Sequence, residues 1–135
     1  MRPTPDEKLA ALPAKIREAV ERLQEADRAF VENWNRLAAA VVANAASKGF
    51  NSLDHEAIGI ALMHSELSEA LDAYRHGNPP SEHIPAFSGA EEELADVVIR
   101  IMDHGGVRGL RIAEAVLEKM VFNATRPHRH GGKAF

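Results

Sequence analysis

Between Pro13 and Gly49 the chain runs through thirty-five residues without a glycine or a proline. Strands in globular proteins rarely exceed about ten residues, so a stretch this long, rich in Ala, Glu, Leu and Arg, is expected to be helix. The text "AKIREAVERLQEADRAFVENWNRLAAAVVANAAS" predicts helix from Ala14 to Ser47, with Gly49 as its stop. Because this is long for a globular helix, a break is expected near Ala26 to Arg28.

The rest of the chain follows the same grammar. A second helix is expected from Leu53, capped by Ser52 or Asp54, to Arg75, where Gly77 and "NPP" end it. After the proline-rich loop 78–88, Ser88 and Glu91 form a capping-box pattern before an apolar run to Met102. "HGG" at 104–106 is read as the end of that helix, and a last helix covers Arg111 to Asn123. Residues 1–13, with three prolines, are expected to be flexible, and residues 124–135 to form an irregular basic tail. No period-two alternation and no repeat breaks the pattern. The expected fold is all-α, one domain over 1–135, an antiparallel helical bundle of four to five helices.

Charge is unevenly spread along the chain. The formal net charge is −4, yet residues 53–96 hold ten acids against the single base Arg75, while residues 119–135 hold Lys119, Arg126, Arg129 and Lys133 with no acid. So small a basic segment argues against a nucleic-acid partner, and an anionic small molecule suits it better. There is no cysteine, so disulfides and thiolate metal sites are excluded. The opening "MRPTPDEKLAALPAK" lacks an apolar leader, and no run approaches the roughly 20 apolar residues of a membrane span. A cytoplasmic protein with no membrane partner is the expectation.

Within the acidic middle, two helices repeat one oddity. Glu66 and Glu69 are three apart and continue a face that holds Leu62 and Ile58; Glu93 and Asp96 are three apart beside Val97 and Ile101. Such pairs are either solvated or turned inward around a cation. Four inward carboxylates would repel one another unless a positive ion lay among them, and oxygen-only ligands favour Mg²⁺, with Mn²⁺ as a substitute. A di-iron bundle would need Glu-x-x-His pairs, and none of the seven histidines has a Glu three residues before it.

"ELSEAL" (66–71), "EEELADVVIRIMD" (91–103) and "KMVFNATRPHRHGGK" (119–133), in that order, resemble the MazG-type all-α nucleoside triphosphate pyrophosphohydrolases. That family's signature is E-x-x-E, a spacer, then E-x-x-D; here it reads Glu66, Glu69, 23 residues, Glu93, Asp96. Many members carry a further Glu just before the first pair, where this chain has Met63 and Ser65. The resemblance implies that Glu66, Glu69, Glu93 and Asp96 are both metal ligands and catalytic residues. It further implies Mg²⁺-dependent hydrolysis of a nucleoside triphosphate at the α–β bond to monophosphate and pyrophosphate, by a homodimer or homotetramer. A phosphoribosyl-ATP pyrophosphohydrolase and a non-catalytic helical module are the alternatives.

The resemblance also bears on the C-terminal segment. Lys119, Asn123 and Arg126 recur at steps of four and three, hence on one face if the last helix continues that far, and would clamp the triphosphate; without a ligand they are a cationic helix end. His130 and Lys133, around Gly131 and Gly132, would fold over the phosphates. Trp34 offers a ring for base stacking or for the core. Arg100 and Asp103 either orient the acids or form a local ion pair.

Overall fold

The computed structural model describes residues 3–50, 55–127 and 129–134, and for residues 5, 23–26 and 130 the backbone only. Its elements are α1 (Pro5–Ala10), α2 (Ala14–Ser47), α3 (Glu56–Arg75), α4 (Gly89–Arg108), α5 (Ile112–Ala124) and α6 (Arg129–Gly132). Among the described residues there is no strand, only one antiparallel bridge between Pro80 and Ser88. The all-α expectation therefore holds.

Contacts divide the chain into two compact units. One joins the chain up to Asn33 with the chain from Arg111, and the other runs from Trp34 to Leu110. The division falls inside α2, which is unbroken over its 34 residues; the break expected near Ala26 to Arg28 is absent.

In the first unit, residues 5–10 are ordered into helix by a capping box at Thr4 and Glu7, with Pro5 at the first helical position, where its missing N–H is no loss. The expected irregular tail is interrupted by the single turn α6. Among the described residues of this unit, Val20 and Ala113 are the buried apolar ones.

In the second unit, α3 and α4 lie antiparallel. Ala73 meets Gly89, Glu66 meets Arg100, Gly59 meets His104 and Glu56 meets Arg108, a pairing that falls on one helix as it rises on the other. The loop between them is tied to the start of α4. Asn78, whose short amide side chain suits its left-handed backbone (φ 50°), accepts a hydrogen bond from the Ala90 N–H through Oδ1, and the Gly89 N–H donates to the Pro79 carbonyl. Ser88 and Glu91 form the expected capping box, worth about 1 kcal/mol.

Two boundaries differ from expectation. α4 continues through "HGG" to Arg108, and Gly109 (φ 64°) caps it in the left-handed conformation. Gly106 is a contact point: a Cβ there would lie 2.8 Å from Val42 Cγ2 of α2. α3 begins at Glu56 with His55 as an N-cap that makes no side-chain bond, and the expected caps Ser52 and Asp54 lie outside the described residues.

Candidate metal centre

The face that α3 turns towards α4 carries Gly59, Met63, Glu66, Ala70 and Ala73, at steps of three and four. Leu62 and Ile58, expected to belong to the core stripe, are instead 41% and 53% exposed. Small residues on this face bring the helices close, and Glu66 sits in the middle of it, 7% exposed. Glu69, one turn on, is exposed, and Glu93 on α4 is half-buried.

One carboxylate oxygen from each of Glu66, Glu69 and Glu93 lies within 4.8 Å of the others. Glu93 Oε2 is buried and meets no donor. Burial raises the Glu93 pKa, with the Glu69 charge and the facing Glu66 carboxyl adding to it, from 4.5 to about 7. Asp96, the fourth expected ligand, is outside this cluster. Its pKa is also raised, first by burial and then by the Glu66 charge, while Arg100 opposes the rise.

Arg100 crosses from α4 to α3. Its Nε donates to Oε1 of Glu66 at 2.6 Å, and its Nη2 lies 2.5 Å from the same oxygen in a salt bridge. Local spacing slightly favoured an ion pair with Asp103; the salt bridge Arg100 makes is the non-local one, to Glu66.

The start of α4, which carries Glu93, is fixed by the preceding loop. Ser81, buried, donates from Oγ to Glu92 Oε2 at 2.5 Å and accepts the backbone N–H of His83 and Ile84. His83 donates from Nδ1 to Glu92 Oε1 at 2.6 Å. These contacts lower the Glu92 pKa, through Ser81 first, and raise that of His83. Nothing in the loop's local sequence signalled this arrangement.

The second unit also holds a cavity of about 410 Å³, lined by Asp96 and Arg100 but by none of the three clustered acids. Val41, Ala45, Phe50, Leu62 and Ile99 give it apolar walls, and Asn44, Asp96, Arg100 and Asp103 give it polar groups. Trp34 is not among its lining residues. Asn44 and Phe50 were not singled out from sequence, because neither stands in a spacing that marks a site.

The expected phosphate-binding side chains belong to the first unit. Lys119 and Asn123 share one face of α5 and line the same cavity, of about 480 Å³. The Lys119 ammonium lies 4.3 Å from the centre of the Phe122 ring, and the Arg126 guanidinium carbon 6.0 Å from it. Lys133 is exposed beyond α6, and the His130 side chain lies outside the described residues. The same unit holds a larger cavity, about 610 Å³, whose charged lining is acidic but for Arg28. Among the described residues only Glu66, Glu69 and Glu93 form a cluster of three candidate ligands.

The acids of the second unit could therefore hold a metal ion. Three clustered carboxylates, with one buried oxygen lacking a donor, fit a hard divalent ion that prefers oxygen. No known family, no curated protein and no solved structure matches the chain. No helix among the described residues is long and apolar enough to cross a membrane.

Proposed function

We propose that the chain is a divalent-cation-dependent nucleoside triphosphate pyrophosphohydrolase, cleaving the α–β bond to release monophosphate and pyrophosphate. The observation that carries this reading is the Glu66–Glu69–Glu93 cluster, held between the antiparallel helices α3 and α4. Mg²⁺ bound by these acids, with Asp96 completing or flanking the set, supplies charge neutralisation on phosphate oxygens and an acidified water. Glu66, Glu69 and Glu93 hold the ion's side of the site, and ionisation of Glu93 prepares it to bind.

A triphosphate carries about four negative charges and cannot approach bare carboxylates, so cationic side chains must take its far end. By the resemblance, Lys119, Arg126 and Lys133, together with His130 and the neutral Asn123, are the candidate phosphate-binding groups, and the cavity lined by Asp96 and Arg100 is a candidate seat for the base. Large apolar side chains stay exposed on α3 and α4, among them Ile58, Leu67, Leu71 and Tyr74 on α3 and Leu94 and Val98 on α4. A surface of that kind supports a homodimer or homotetramer.

Incubation with a nucleotide panel and Mg²⁺, with pyrophosphate assayed enzymatically, tests the reading. Pyrophosphate release that EDTA abolishes supports it; absence of release from every triphosphate refutes it.

A further inference from the structure

We infer that Arg100 is a positioning residue of the cation centre: it holds Glu66 by one oxygen so that the other is presented to the ion. The inference rests on the cation reading above and adds to it a part for a residue that is not itself a ligand.

The geometry is specific. A guanidinium facing a carboxylate ordinarily places one N–H on each oxygen, because the fork and the carboxylate match. Arg100 does otherwise, with both Nε and Nη2 on Oε1 of Glu66. Among the described residues Arg100 makes no hydrogen bond to Oε2. Glu66 is the only buried member of the cluster and so the one least able to be oriented by water. Glu93 and Arg100 stand seven residues apart on α4, two turns along one face, and both converge on Glu66 from that helix. One meets it as an acid, the other as a base. Glu66 is thus fixed from two directions, while Glu69 completes the cluster from the turn above it on α3.

Two other roles for Arg100 predict different behaviour. As a stand-in cation it would have to be displaced, and its removal would tighten ion binding. As a staple between α3 and α4 it would affect folding and leave the intrinsic affinity alone. A positioning residue predicts weaker binding with the fold retained, since loss of a group that orients a metal ligand typically reduces affinity about 10–100-fold.

The test is Mn²⁺ binding to the full-length, metal-free protein, followed by electron paramagnetic resonance, for the wild type, Arg100→Gln and Arg100→Lys. The expected result is a dissociation constant raised about 10-fold or more by Arg100→Gln. Arg100→Lys should fall between, because an ammonium restores the charge but not the planar fork. Circular dichroism in EDTA reports whether each variant keeps its helices. Should Arg100→Gln lose them, Arg100→Lys carries the test, with a loss of about threefold or more expected. Unchanged or tightened affinity in the folded variants overturns the role of Arg100 and leaves the cation reading standing. No Mn²⁺ binding by the wild type overturns both.

Discussion

Glu93→Gln should stabilise the ion-free protein above neutral pH and leave it unchanged in acid. The Glu93 carboxyl has its pKa raised to about 7 in the folded chain from an ordinary 4.5, chiefly by burial and then by the Glu69 charge. Below pH 4.5 both folded and unfolded chains carry the proton, so the group contributes no difference. Between 4.5 and about 7 the unfolded chain ionises first, and the folded state loses stability as pH rises. Above that window the loss is complete. A shift of this size corresponds to about 3 kcal/mol at most, and partial solvent contact reduces the expected effect to about 1–2 kcal/mol. Glutamine keeps the shape and removes the charge. Urea unfolding in EDTA, at about pH 4 and about pH 8, measures both proteins; His83 and Asp96 titrate in each, so the difference between them isolates Glu93. The variant should match the wild type at the lower pH and exceed it by about 1–2 kcal/mol at the higher. Equal pH dependence in the two proteins would refute the raised pKa and the crowding of charge behind it.

Mg²⁺ affinity should fall as pH drops through about 7, approaching tenfold per unit below it, because binding must expel the Glu93 proton; calorimetry in buffers of different ionisation enthalpy should count nearly one proton released at about pH 6. Ala90, 1% exposed at the start of α4, leaves no room for a larger group, so Ala90→Leu should destabilise by about 1–3 kcal/mol in a thermal or urea melt. Arg126→Ala should lower kcat/KM about tenfold or more, the loss expected for one charge-assisted phosphate contact, with helix content unchanged.

The sequence yielded the helices and the acids but not how they meet. Breaker-free text, Gly49, Gly77 and the Ser88–Glu91 box are local signals, and the elements they predicted are present. "HGG" misled because glycine within a helix is read as a stop, whereas Gly106 is selected here by the close approach of α2. Spacing also placed Glu66 and Glu93 on inward faces. It misassigned the neighbours, since Leu62 and Ile58 are exposed and small residues flank Glu66. It could not show that Arg100 reaches Glu66 rather than Asp103, a contact between distant stretches of chain, nor that Glu92 is held by Ser81 and His83, which depends on how the intervening loop folds. Asp96 shows the limit in the other direction: three-residue spacing put it beside Glu93, yet the cluster forms without it.

The central claim is that the acids direct water to the α-phosphorus of a triphosphate. Turnover in ¹⁸O-labelled water with Mg²⁺, followed by mass spectrometry of the products, tests it most directly. The account predicts one labelled oxygen in the nucleoside monophosphate, unlabelled pyrophosphate, and no product when EDTA is present. Label in pyrophosphate or orthophosphate, or turnover that survives EDTA, would contradict it.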